Sequence, residues 1–253
     1  MTNASGTPAS EPAHPKPALT ITIDGREVQA HRGQSILEAA EAAGVWIPRL
    51  CHFPGLEEFG GCRVCVVVAN GRSCASCTQP VAPGMVVENE TEQVLETRRT
   101  IVEMLLVEGN HFCMFCEKSG RCELQALAYR LGITAPRLDL LWPEREIDAS
   151  HRDVLIERNR CILCSRCVRA SRDLDAKHVF HFAGRGPHKR ITVNALDGLA
   201  GTDAAAADRA MTVCPVGCIL PKRRGYDVPV GARTYDAAPI GAGVERAGPA
   251  EPR

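Results

Sequence analysis

Residues 160–173 read RCILCSRCVRASRD, and this stretch decides how the rest of the chain is understood. Cys161, Cys164 and Cys167 recur at every third position, so one tight loop turns three thiols toward a common point. Three donors from so short a loop wrap one corner of an iron–sulfur cube better than they surround a single tetrahedral ion. A cube needs a fourth thiolate, which such runs take from a distant Cys-Pro. Cys214-Pro215 provides it.

The run is that of bacterial ferredoxins, with one departure. The position of its own terminal cysteine holds Ser171. Counting back from Cys214 with the same spacing meets Ala210, Ala207 and Ala204 where a second cube would find its ligands. The segment therefore reads as a two-cluster ferredoxin that has kept one cluster and filled the other site with small residues. Arg158, Arg160, Arg166, Arg169 and Arg172 crowd it. They read either as cations that favour the reduced cluster or as a solvated basic face.

Cysteine is the outlier of the whole composition, with 13 in 253 residues. Upstream lies Cys113-x2-Cys116-x5-Cys122, one thiolate short of a set, with His111 two residues before it. Neutral imidazole is a competent iron ligand, so His111 is the expected fourth donor. Further upstream stand Cys51, Cys62, Cys65 and Cys77, with Gly60-Gly61 in the loop between the first two. Glycine lets that loop bend tightly and present amides to a sulfur-rich anion. Because Cys74 lies inside the last gap, Cys62, Cys65, Cys74 and Cys77 also read as a zinc knuckle. On the iron–sulfur reading, eleven cysteines and His111 supply three clusters, leaving Cys74 and Cys218 as spare, non-ligating residues.

Around the cysteines the local signals are those of a mixed fold. Leu19–Ile23 alternates and meets Asp24-Gly25, a hairpin turn, before a strand near Glu27–Ala30. Ser35 and Glu38 form a capping box for a helix to about Ala43, with Gly44 as its stop. Val64–Val68 and Met85–Val87 are later strand candidates. A helix is expected over Glu92–Glu108, with Val94, Leu95, Ile101, Val102, Leu105 and Leu106 on one face, and a shorter one over Glu123–Leu131. Residues 136–159 show no period and read as a link.

The fold class is thus α+β. It divides into a tail (1–18), a β-grasp 2Fe–2S ferredoxin-like domain (19–92), a small helical His/Cys-ligated 4Fe–4S domain (93–135) and a bacterial-ferredoxin-like 4Fe–4S domain (136–235). Residues 236–253 form a second tail, and both tails have the composition of disordered chain.

Thirty basic residues balance thirty acidic ones, and aromatics number only 6 Phe, 2 Trp and 3 Tyr, which argues against nucleic acid as a partner. The longest apolar run, Val64–Ala69, is far below the ~20 residues a membrane helix needs. The N-terminus has no secretory signal, so the expected compartment is the cytoplasm, where clumped thiols are usually metal ligands. The chain has neither a G-x-G-x-x-G nor a G-x4-G-K-[ST], and no C-x3-C-x2-C triad with an open iron. With clusters held wholly by side chains, the expected role is one-electron transfer between sites on other subunits, with no catalytic residue here.

Five stretches together resemble a known family: CHFPGLEEFGGCRVCVV (51–67), SCTQPV (76–81), EGNHFCMFCEKSGRCELQALAYRLG (108–132), RCILCSRCVRASRD (160–173) and CPVGCILPKRRGYDVPVG (214–231). They are similar to the iron–sulfur diaphorase subunits of soluble NAD-reducing hydrogenases. They are also similar to the N-terminal part of the large iron–sulfur subunit of NADH:quinone oxidoreductase, and to NAD-linked formate dehydrogenases. The resemblance implies a 2Fe–2S cluster on Cys51, Cys62, Cys65 and Cys77, and 4Fe–4S clusters on His111, Cys113, Cys116, Cys122 and on Cys161, Cys164, Cys167, Cys214. The respiratory relatives have H-x3-C; here that position is Gly109, and the histidine stands as H-x-C. The resemblance further implies FMN, NAD and a nickel–iron centre on partners: a flavin- and NAD-binding diaphorase subunit and the hydrogenase small and large subunits. The equivalent subunit of a formate or respiratory dehydrogenase is the nearest alternative, and a zinc-organised binding protein the alternative from another class.

Overall fold

The computed structural model describes residues 18–247. Its N-terminal unit is a five-stranded sheet in the order β2-β1-β5-β3-β4. These strands are β1 (Ala18–Ile23), β2 (Arg26–His31), β3 (Val66–Ala69), β4 (Arg72–Ala75) and β5 (Val86–Glu88). Asp24 and Gly25, both in the left-handed region, turn β1 into β2. Strands β1 and β5 run parallel, whereas the other neighbours are antiparallel. Helix α1 (Ile36–Ala42) lies across this sheet, as expected of a β-grasp. Its Ser35–Glu38 capping box is complete: Ser35 Oγ accepts from the Glu38 amide at 3.2 Å, and the Ser35 amide donates to the Glu38 carboxylate at 2.7 Å. Ile36, Leu37, Ala39 and Ala40 pack on Ile21, Ile23, Val28, Val67 and Val87 in a core that also contains Cys65 and Cys77.

Helix α2 (Glu92–Val107) leads away from the sheet and α3 (Glu123–Arg130) packs against it. The buried face of α2 differs from the apolar stripe expected. Val94, Val102 and Val107 are buried together with Arg98 and Glu103, while Leu95, Ile101, Leu105 and Leu106 are only half-buried. The reason is that α2 carries the joint between units. The Arg98 guanidinium donates to Val66 O, Asn89 O and Asn89 Oδ1, so a charged side chain satisfies carbonyls that an aliphatic one would leave bare. Glu103 receives Arg137 Nε at 2.9 Å.

The stretch 136–159, expected as a link, contains two strands, β6 (Ile147–Asp148) and β7 (Val154–Glu157). They join β10 (Ile219–Pro221) in a sheet of order β10-β7-β6. These strands are too short to print a period, and Val154 and Ile156 acquire a buried face only from β10, more than sixty residues away. Helices α4 (Arg166–Asp173) and α5 (Arg209–Thr212) and the hairpin β8–β9 (Phe180–Ala183, Arg190–Val193) complete this unit around Phe180, Ile191 and Leu199. At the discontinued second-cluster position, Ser171 is buried and its hydroxyl accepts the Val179 amide at 2.8 Å. Ala210 is buried as well, and Ala204 packs against the core, whereas Ala207 is exposed.

The expected structureless tail from 236 is corrected for residues 236–247. Asp236 accepts from the amides of Gly231 and Arg233 and pairs with the Arg233 guanidinium. Helix α6 (Ala242–Ala247) follows, with Glu245 paired to Arg130. Arg130 also donates to Ile240 O and lies 4.0 Å above the Trp46 ring. Composition misleads here because the contacts that seat α6, through Arg130 and Trp46, come from distant parts of the chain. Residues 1–17 and 248–253, also expected as tails, lie outside the described residues.

Candidate metal centres

The loops between elements bring the cysteines together in three groups. In the first, the Cys51 thiol meets those of Cys62 and Cys77, and Cys77 Sγ lies 3.4 Å from Cys65 Sγ. All four thiols expected as ligands are thus linked by contact. Contact with Cys62 and Cys77 depresses Cys51, and contact with Cys77 brings Cys65 down to about 6. Cys62 and Cys77 are correspondingly pushed up, because they hold the shared protons. Amides complete the cradle: those of Gly61 and Cys62 face Cys51, and that of Val64 faces Cys62. Such donors favour a charged sulfur, which is what a bound iron requires. Gly60 is left-handed (φ 65°), and a Cβ on Gly61 would run into the Phe59 ring, so the loop is built around the two glycines. Cys74 stands apart on β4, opposite Val67, so the knuckle of Cys62, Cys65, Cys74 and Cys77 is not assembled.

In the second group, Cys116 and Cys122 are buried and Cys113 is half-buried. Burial pushes Cys113 up and Cys122 to about 12. His111 Nε2 is a buried polar atom without a hydrogen-bond partner, and the Leu105 main chain faces the ring. Burial, reinforced by the Arg160 charge, lowers the imidazole to about 4 and keeps it neutral. A neutral ring with an unpartnered buried nitrogen has the protonation a metal-binding histidine requires. Gly109, the H-x3-C position of the respiratory pattern, is packed directly against that ring: a Cβ there would lie 2.5 Å from Nε2.

In the third group, Leu163 (φ 53°) and Ser165 (φ 64°) are both left-handed, a conformation that winds the loop so that Cys161, Cys164 and Cys167 face one side. The Leu163 amide donates to Cys161 Sγ at 3.4 Å, and the Cys214 sulfur is faced by the amides of Val216 and Ile219. Burial pushes Cys164 and Cys167 up. The spare Cys218 does not stay clear of this group: its thiol meets those of both Cys161 and Cys214. Spacing showed that Cys218 follows Cys214 by four, but only folding shows which way it turns.

The third group lies between the other two. Toward the first, the Arg169 guanidinium donates to Cys51 O at 2.5 Å and to Cys164 O at 3.4 Å. Toward the second, Gly217 is pressed against Cys116, where a Cβ would lie 2.5 Å from the sulfur, and the Glu123 amide donates to Pro215 O at 2.8 Å. The arginine cluster is therefore structural in large part. Arg158, Arg166 and Arg169 are buried, Arg166 forming a two-pronged pair with Glu123 at 2.6 and 2.7 Å. The linked thiols of the first and third groups and the amides facing them fit sulfide-bridged clusters.

Three family models match in the same order: a 2Fe–2S iron–sulfur cluster binding domain over residues 16–92, the NADH-ubiquinone oxidoreductase-G iron–sulfur binding region over 98–137, and a 4Fe–4S single cluster domain over 154–220. The chain is 38% identical to the NAD-reducing hydrogenase HoxS subunit gamma of Cupriavidus necator, over 89% of this chain and 96% of that one. It is 34% identical to the mitochondrial NADH-ubiquinone oxidoreductase 78 kDa subunit of Candida albicans, over 81% of this chain but 28% of that subunit's length. Among solved structures, a chain of an NAD+-reducing [NiFe]-hydrogenase in the H2-reduced state superposes with a TM-score of 0.86 at 48% identity, covering 88% of this chain and 96% of that one.

Proposed function

Because this chain belongs to the family of iron–sulfur subunits that includes the gamma subunit of NAD-reducing hydrogenase, we propose that it transfers electrons within such a complex. The relay runs through one 2Fe–2S and two 4Fe–4S clusters, between a [NiFe] hydrogenase module and a flavin-bearing subunit that reduces NAD. The partners are the hydrogenase small and large subunits and the flavin diaphorase subunit, and the compartment is the cytoplasm. Among the described residues no helix is long and apolar enough to cross a membrane. The observation that carries the reading is the continuity of the three donor groups: Arg169 spans the first and third, and Gly217 brings the third against the second.

Bound iron–sulfur clusters supply one-electron oxidation and reduction. The residues of this chain hold and tune them. Cys51, Cys62, Cys65 and Cys77 hold the first, His111 with Cys113, Cys116 and Cys122 the second, and Cys161, Cys164, Cys167 and Cys214 the third. The neutral His111 brings one charge fewer than a thiolate, which raises the tendency of its centre to accept an electron. Arg166 and Arg169 place positive charge beside the third group, favouring its reduced form. Leu50, Leu56, Val64, Leu124 and Ile162 pack around the sulfurs in one core, excluding water from the space between groups. Among the described residues, none is assigned a part as acid, base or nucleophile.

Electron paramagnetic resonance of the dithionite-reduced protein, prepared anaerobically, tests this. About three spins per chain are expected; a silent spectrum with bound zinc would refute it. Isolation of the native complex identifies the partners: paired nickel–iron ligands on a co-purifying chain support hydrogenase, and a molybdopterin subunit supports formate dehydrogenase instead.

A further inference from the structure

Helix α4 carries three arginines, and two of them have carboxylate partners. Arg166 forms its two-pronged pair with Glu123, and Arg172 pairs with Glu57 and Asp173. Arg169 is only 4% exposed, yet it forms no ion pair among the described residues, and its guanidinium meets main-chain carbonyls alone. Its Nη1 donates to Glu57 O. Its Nη2 is shared, donating to Cys51 O at 2.5 Å and to Cys164 O at 3.4 Å. The Nε is buried without a partner, and the Phe59 ring centroid lies 5.6 Å from the guanidinium carbon. Carbonyls satisfy N–H groups, but they are neutral and leave the positive charge itself uncompensated. A buried cation in that position is costly unless an anion stands near it. The two cysteines whose carbonyls share Nη2 belong to different donor sets, and no hydrogen bond of Arg169 reaches the second group.

We propose that Arg169 is a counter-cation shared by the first and third centres, raising the reduction potentials of both. This rests on the ligand assignment of the preceding subsection. A centre held by four thiolates is anionic, so the two donor sets supply the opposite charge that no carboxylate provides. Reduction adds a further negative charge to a centre, and a fixed cation beside it stabilises the reduced form more than the oxidised one. Burial keeps solvent from screening that interaction, so it extends to both donor sets. Because one charge serves both centres, it moves their potentials in the same direction. The step between them changes less than either potential does, which suits neighbouring stations of a relay. Arginine fits the position because its guanidinium stays charged when buried and its planar fork reaches three carbonyls at once.

The test compares Arg169→Lys, Arg169→Gln and Arg169→Met in the complete chain. Iron and acid-labile sulfide are measured in each, and the three midpoint potentials are followed by redox titration with electron paramagnetic resonance. Lysine keeps the charge without the planar fork, glutamine keeps amide donors without the charge, and methionine keeps neither. The two neutral variants should retain iron and shift the first and third potentials to more negative values, with the second unmoved. Lysine should leave all three near the parent values. Loss of iron from the first and third centres alone in the neutral variants, with the lysine variant replete, is the same result in a stronger form. Unmoved potentials in iron-replete neutral variants would overturn the proposal, as would a shift confined to one of the two centres. A shift or an iron loss as large with lysine as with methionine would also overturn it, because lost packing would then be the cause. A parent protein that holds no iron and no acid-labile sulfide would instead refute the functional reading beneath it.

Discussion

His111 illustrates how far single side chains set the chemistry. Its Nε2 is buried with no partner, an arrangement costly to maintain unless something occupies the free lone pair. Replacing His111 with Ala should abolish or perturb one of the reduced 4Fe–4S spectra and leave the other two centres intact; an unaltered spectrum would remove His111 from the ligands. Cys74 makes the opposite case, because Cys74→Ser should leave bound iron unchanged when it is measured chemically. Both residues could be flagged from spacing. The orphaned nitrogen and the separation of Cys74 from its neighbours could not, since each depends on which way a side chain turns. Arg98 is a further example: it lies on the helix face between Val94 and Val102, and only Val66 O and Asn89 explain a buried guanidinium there.

Secondary-structure elements serve chiefly to fix the backbone on either side of each cysteine loop. The α1 capping box was readable directly from Ser35 and Glu38, because capping is local. Ser35→Ala should lower stability by about 1 kcal/mol, checked by urea unfolding of the loaded protein. The β7–β10 pair was not readable, because neither strand has a period of its own and each is completed by the other. Their pairing positions Cys218 and, through Gly217, the approach of the third group to Cys116. Gly217→Ala would place a methyl 2.5 Å from the Cys116 sulfur. The strain from such overpacking is about 1–3 kcal/mol. The expected result is reduced iron in the second centre with the first unaffected, measured by iron analysis and spin quantitation.

On the scale of the whole molecule, the units are joined by buried arginines and closed by the C-terminal strap. Arg169 satisfies carbonyls of Cys51, Glu57 and Cys164, which belong to two different cysteine loops. Arg169→Met leaves those acceptors bare at a cost of about 1–3 kcal/mol each. The substitution should increase amide hydrogen exchange in both loops, while β1, β2 and α1 keep their protection. Removing the strap beyond residue 225 takes away the Tyr235 amide bond to Gly120 O and the Arg130–Glu245 pair. Increased exchange at Gly120 and altered Trp46 fluorescence are expected; no change in either would show that the strap does not secure the second group.

By itself the sequence determined the α+β class and the order of its 2Fe–2S and 4Fe–4S regions, and it predicted three centres and the grouping of their cysteines. Ligand spacing and capping are local properties, written within a few residues of one another. The tertiary structure decided the spatial order of the groups, the burial of Arg98, Arg166 and Arg169, the ordering of residues 236–247 and the direction taken by Cys218. Each of those depends on a carbonyl, a ring or a thiol supplied from far along the chain, and no local pattern of residues specifies a partner that only folding brings near.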